Sequence, residues 1–188
     1  MSSSVFGRSW RWLAALLVLL IVGALGLLVM STRPPDGDSP EAGMLRDMLP
    51  HHTQAVEMAL IIRDRTEDEQ LRALATDIIL SQQNQIGMME GWLDLWDVSP
   101  NLQGPMMSWM DHPVEAGELM PGMATAEQVE SLRMSPVDEA EVAFLQLMIR
   151  HHQGAVHMAD AYLERGDQEE VSEFARNIIA VQDREIET

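Results

Sequence analysis

The chain repeats itself at one fixed offset. MLPHHTQAVEMA at 48–59 recurs as MIRHHQGAVHMA at 148–159, and DIILSQQNQI at 77–86 recurs as NIIAVQDREI at 177–186, both displaced by one hundred residues. The identities pair Met48 with Met148, His51 with His151, His52 with His152, Ala55 with Ala155, Val56 with Val156, Met58 with Met158, Ala59 with Ala159, Ile78 with Ile178, Ile79 with Ile179, Gln82 with Gln182 and Ile86 with Ile186. Chance likeness does not hold one register across two separate blocks. The chain therefore carries a duplicated unit, and two copies of one unit pack most simply about a pseudo-two-fold axis.

Each unit reads as a helical hairpin. In the first, Leu45, Met48, Leu49, His52, Ala55, Val56, Ala59 and Leu60 keep the 3–4 spacing of one helix face, from Pro40 or Met44 to Asp64, with Pro50 expected to kink the helix or begin a fresh segment. A second helix opens on a Thr66/Glu69 capping-box pattern and ends by Ser99-Pro100. A short helix begins at Thr125 with Gln128 as its box partner. A third long helix begins at Ser135-Pro136, and a fourth at Asp167 with Glu170 three residues on. Two hairpins at 44–99 and 135–188, joined by a Met-rich connector at 100–134, give an all-α four-helix bundle over 44–188. With 46% apolar but only 5% aromatic residues, the composition favours helix packing over a sandwich.

Ahead of the bundle lies a continuous apolar run, WLAALLVLLIVGALGLLVM at 12–30. At helical rise it spans about 28 Å, close to the hydrocarbon thickness of a bilayer. Arg8 and Arg11 precede it, whereas Asp36, Asp38 and Glu41 follow Arg33. The positive-inside rule then puts residues 1–11 in the cytoplasm, a single-pass anchor at 12–30, a Pro/Gly/Asp linker at 31–43, and the bundle outside the cell membrane of a bacterium. A cleavable signal peptide is the other reading; the run is long for one, and Val29-Met30-Ser31 is a poor cleavage site. Both export the bundle. The net charge is −18, and setting aside the three Arg of the first 33 residues leaves 9 basic against 30 acidic residues, a net −21. Such a surface repels nucleic acid, and it either draws cations or simply keeps the domain in solution. There is no Cys, so neither a disulfide framework nor a thiolate metal site can form.

The Ala, Val and Ile matches need only a shared core. The adjacent imidazoles do not fit that account, because paired His are poor core material. Met48, His51 and His52 fall at i, i+3 and i+4 on one face, with Met58 two turns beyond; Met148, His151, His152 and Met158 repeat the set. Thioether with neutral imidazole suits Cu(I), with Ag(I) as its surrogate, and suits Ca, Mg or Zn badly. Two readings stand for each type. The Met can be plain core, since Met fills irregular gaps, and the His can be a hydrogen-bonded network without metal. His157 stands where the first copy has Glu57 and reads as a surface residue. Met106, Met107, Met110, Met120, Met123 and Met134, with His112 among them, make the connector either a flexible copper collector or a lid. No Glu-x-x-His occurs, which excludes the di-iron pattern of carboxylate bundles, and no nucleophile or phosphate-loop motif is present.

The double HH-x-x-A-x-x-M pattern, with FLQLM before the second copy and NIIAVQ after it, resembles the family called domain of unknown function 305 over roughly 44–188. That resemblance implies a ferritin-like bundle in an exported protein, and some such proteins bind copper in the periplasm and serve copper tolerance. It implies metal sites at Met48, His51, His52 and Met58, and at Met148, His151, His152 and Met158. The first copy continues past Ile86 into Met88 and Met89, whereas the second has no counterpart of Met89; if Met89 is a ligand, the first site is the more complete. The expected function is extracytoplasmic capture or buffering of Cu(I), with a metal ion and the membrane as partners and no nucleic acid. The alternative is a non-metal structural or interaction module of the envelope. Redox catalysis at copper is a third and minor reading, so the chain is not expected to be an enzyme.

Overall fold

The computed structural model describes residues 6–31, 34–101, 104–111, 113–115 and 117–188, and in the first helix the side chains of Trp10 and 12–23. It divides into two units, 1–34 and 35–188. The first is helix α1, Phe6–Ser31, whose described apolar residues from Trp12 to Val22 all stand exposed. Among the described residues no helix is long and apolar enough to cross a membrane. The expected span at 12–30 is thus not found, and its part at 24–30 lies outside the described side chains.

The second unit is all-helical among its described residues: α2 Pro40–Arg65, α3 Glu69–Leu95, the short α4 Ala126–Met134, α5 Val137–Leu163 and α6 Glu169–Glu187. Hairpin α2/α3 and hairpin α5/α6 meet along α2 and α5, with α4 against both. The seam is antiparallel. At one end the Thr66 hydroxyl donates to Glu141 (2.6 Å), and at the other the Asp167 N–H donates to Glu41 (2.8 Å). Glu41 and Glu141 are one hundred residues apart, so each copy's first helix clasps the turn of the other hairpin. The α3 and α6 helices touch through side chains, with Trp92 edge-on to Phe174 at 5.1 Å.

Apolar side chains gather in two clusters. One holds Met44, Leu45, Met48, Met89, Leu93, Met158, Tyr162 and Phe174. The other holds Val56, Met58, Ile62, Ile78, Leu132, Phe144 and Met148. Along α2 and α5 they lie on opposite sides of the His pairs.

Several helix starts differ from the sequence expectation. Asp68, not Thr66, caps α3 by accepting the Gln70 and Leu71 N–H groups, because Thr66 is drawn away to Glu141. Ser135 closes α4, its N–H donating to Ser131, and α5 begins after Pro136 without a side-chain cap. Likewise α6 begins after Gln168 with no side-chain cap; the Asp167 backbone N–H donates to Glu41, one residue ahead of the cap position. Pro50 sits inside an unbroken α2, so no fresh segment starts there. The α4 start matches in full: Thr125 and Gln128 form the reciprocal capping box.

The connector is a packed lid. Met107 and Met120 are buried, Met106, Met110 and Met123 pack against the core, and only Met134, on α4, stands well exposed. His112 lies outside the described residues. Asp47, buried on α2, anchors the lid by accepting the Met107 N–H (2.8 Å) and the Trp109 Nε1–H (2.7 Å). Gln54 anchors it again, donating to Ala124 O (2.9 Å) and accepting from Ala124 N–H (2.8 Å). The residue equivalent to Gln54 in the second copy is Gly154, where a Cβ would lie 2.0 Å from Pro121 O. Gly154→Ala should therefore lower stability by about 1–3 kcal/mol through overpacking, seen as a lower urea midpoint at unchanged slope. An unchanged midpoint would mean that the connector is not seated on α5.

Candidate functional site: a buried histidine layer

Where α2 crosses α5, four imidazoles meet in the interior. His51, His52, His151 and His152 are 0–1% exposed. The His51 and His151 rings lie 3.9 Å apart at 45°, on the seam between the two copies. Four-helix packing forces this meeting: each His pair sits midway along the inner helix of its hairpin, and antiparallel inner helices of a duplicated unit bring their midpoints together.

The surrounding hydrogen bonds decide how three of the rings face. His51 Nε2 lies 3.0 Å from Pro121 O, and a carbonyl can only accept, so Nε2 carries the proton. His52 Nε2 donates to Gln85 Oε1 at 2.8 Å, and Gln85 is held that way round because its Nε2 donates to Asn177 Oδ1. His152 Nε2 donates to Glu185 Oε2 at 2.6 Å. In all three the Nδ1 is buried with no partner, and in His151 neither ring nitrogen has one. Gln82 and Gln182, one turn before Gln85 and Glu185, are also buried with both amide atoms unpartnered. Buried polar atoms are normally paired. The unpartnered atoms on α2, α3, α5 and α6 are thus all imidazole nitrogens or amides of the repeated motifs, apart from one oxygen of Asp47.

Burial also sets protonation. Desolvation holds His51 down to about 4, against the Pro121 bond, and His52 down to about 3, with His51 pushing the same way. Desolvation and the neighbouring imidazoles put His151 well below its ordinary value. These three rings are neutral at neutral pH and keep a lone pair for a Lewis acid.

The predicted site residues are all buried, but they are sorted differently from the two one-per-repeat sets. The four His join in a single layer. Met48, Met89 and Met158 fall together in one flanking cluster, and Met58 and Met148 in the other. Each flank thus draws Met from both copies, because antiparallel α2 and α5 set residue 48 beside 158 and 58 beside 148. His157 is exposed, as a surface residue would be. Sequence reasoning missed Gln85 and Glu185, although they stand at the same hundred-residue offset and three residues beyond the matched Gln82 and Gln182. A polar pair on an otherwise apolar stripe was the signal. Among the described residues no three His, Asp or Glu side chains converge as a metal cage. The donors that do assemble are imidazole nitrogen flanked by thioether sulfur, the mixture that favours soft, singly charged ions over Zn, Ca or Mg.

The fold and its centre define a class: a duplicated helical bundle closed around a buried His layer with Met on both sides. The chain belongs to the family described as Domain of unknown function (DUF305), whose model matches residues 41–188. A DUF305 protein of Streptomyces coelicolor is 46% identical, over 81% of this chain and 90% of that one, with a TM-score of 0.74. CopM in its Cu(I)-bound form is 27% identical, over 79% and 91% of the two chains, with a TM-score of 0.58, and CopM is also known in Cu(II)-bound and Ag-bound forms. Uncharacterized protein L153 of Acanthamoeba polyphaga mimivirus is 50% identical over 50 residues, 27% of this chain and only 33% of that protein.

Burying neutral imidazoles has a pH signature. The unfolded His titrate near 6.5, so below that pH the unfolded chain binds more protons than the folded one, and stability rises with pH. Stability in urea should be full above about 6.5 and fall steadily as pH drops toward the values of about 4 and about 3 of His51 and His52. Asp47, raised by burial, contributes the opposite slope, so a D47N background isolates the histidines. A flat profile in that background between pH 7 and pH 4 would show that the rings are not buried neutral.

Proposed function

We propose that this protein captures Cu(I), and Ag(I) by the same chemistry, in the His/Met centre of an extracytoplasmic bundle, for buffering or tolerance. The observation that carries the reading is His151: a fully buried imidazole with neither nitrogen in a well-formed hydrogen bond, its ring 3.9 Å from that of His51 and tilted to it by 45°, beside rings whose unpartnered nitrogen is Nδ1. A soft cation beside His151 takes up unpartnered imidazole nitrogen, and the thioethers of Met48, Met58, Met89, Met148 and Met158 stand in the flanking clusters as further donors. The copper- and silver-bound forms of CopM support the same chemistry in a related fold.

Supporting this, the acidic surface raises the local cation concentration. The rings are closed to solvent, which suits an ion and not an organic substrate, so the protein is a binding protein rather than an enzyme. The unbroken apolar run at 12–30 of the sequence, longer than the stretch whose side chains are described, supports a membrane anchor that leaves the bundle outside the cytoplasm. The competing reading, a metal-free structural module, draws on the single hydrogen bonds that His51, His52 and His152 already make; it leaves His151 without a partner.

Competition with a chromogenic Cu(I) chelator on the full chain in detergent tests the choice. Binding tighter than micromolar is expected, lost when His51 and His151 are changed together to Ala. At about 100 times its Kd the ion should add about 2.7 kcal/mol of stability, because it binds only the folded state. Met→Leu changes at 48, 58, 148 and 158 nearly conserve volume and cost less than about 1.5 kcal/mol of stability, so a large loss of affinity identifies a ligand and an unchanged affinity identifies plain core. No binding in the micromolar range, or wild-type binding without the His, defeats the reading.

A further inference from the structure

The duplication puts Gln85 and Glu185 at equivalent positions, each holding the second His of its pair by Nε2. One is an amide and the other a carboxylate. We propose that Glu185 both orients His152 and supplies the single negative charge of the layer, so that the centre prefers a singly charged soft cation to a doubly charged one. This rests on the cation-capture reading above.

The hydrogen bonds give Glu185 a fixed position. Its Oε2 accepts from His152, and its Oε1 lies 3.2 Å from the Ser81 hydroxyl across on α3, which shares its one proton between Glu185 and Ile78 O (3.1 Å). Held between the two, it keeps the proton of His152 on Nε2 and leaves the buried, unpartnered Nδ1 with its lone pair. Outer partners of metal-binding His commonly act in this way. Gln85 does the same for His52 without charge.

The charge count around the layer is short. The four imidazoles, Gln82, Gln85 and Gln182, and the flanking Met can all be neutral donors. The other buried acids are engaged elsewhere. Glu41 accepts from Asp167 N–H and from Tyr162, while Asp47 accepts from Met107 and Trp109 beside Arg46. Glu185 is the acid in hydrogen-bond contact with the layer. A buried net charge is costly unless it is compensated. One carboxylate balances one Cu(I) or Ag(I), whereas a divalent ion leaves an uncompensated positive charge in the interior.

Location explains why the carboxylate falls on this side. Glu185 is 11% exposed by side chain, whereas Gln85 is 4% exposed. Glu185 lines a cleft of about 830 Å³ with Asp77, Ser81 and Leu145, and also lines a void of about 20 Å³ with Met148 and His152. A charge at that wall keeps part of its hydration while touching the centre. The same charge at position 85 would lie deeper.

The test uses the full chain in detergent, Ag(I) and Zn(II) as probe ions, and long-range nitrogen–proton NMR of the His rings. Glu185→Gln copies the residue that the first copy already carries, so it keeps the bond to His152 and removes only the charge. His152 should stay protonated at Nε2 while Ag(I) affinity drops about ten- to a hundred-fold. Glu185→Ala should release the ring, and the single tautomer should disappear. Gln85→Glu adds a second charge and should shift preference toward Zn(II) by about tenfold or more, the equivalent of about 1.4 kcal/mol. Ag(I) binding unchanged in E185Q, or a Zn(II)/Ag(I) ratio unchanged in Q85E, overturns the proposal. A wild-type chain that takes up no Ag(I) overturns the capture reading itself and the cation preference with it.

Discussion

The structure depends on one costly arrangement, four imidazoles buried side by side where two antiparallel helices cross. Nothing apolar in the bundle requires it. Once the rings are there, each neighbour is constrained by the need to satisfy their nitrogens: Gln85 from α3, Glu185 from α6 and Pro121 O from the connector. The apolar clusters on either side keep water out, and the lowered pKa of His51, His52 and His151 follows from that dryness. Neutral rings with free nitrogens, inside walls of Met, form a soft donor set rather than a proton relay.

Duplication supplies the frame, and its few departures from symmetry supply the specialisation. The Glu41 and Glu141 clasps hold both ends of the seam alike. The connector is a single strap and can cover only one side of the layer. On that side Gln54 grips it and His51 donates to it, while in the other copy Gly154 clears the space it occupies. The exchange of Gln85 for Glu185 then gives the two halves different charge. An even bundle would offer two equal half-sites; in this one the first copy grips the strap by side chains and the second carries the carboxylate.

Much of the architecture was legible in the sequence. The hundred-residue register gave the hairpins and the number of long helices, because periodicity and repetition are local properties of the chain. The α4 cap was also readable, since a capping box is closed within four residues. The other three starts were not. Thr66, Ser135 and Asp167 are good caps by type, but each is taken by a partner or role that lies elsewhere in the fold. Gln82 stands out in the sequence only as a repeat identity, and Gln85 and Glu185 not at all, because nothing local says that their helix face meets imidazole.

The sequence by itself determined which residues carry the chemistry: the duplicated His pairs, the Met at matched positions, the absence of Cys and of any di-iron pattern. Tertiary structure alone decided how they combine. Helices of opposite direction place the start of one copy's motif against the end of the other's, so the Met divide by flank and the His unite at the middle. That result depends on the direction in which two distant segments pass each other, which no spacing along the chain records.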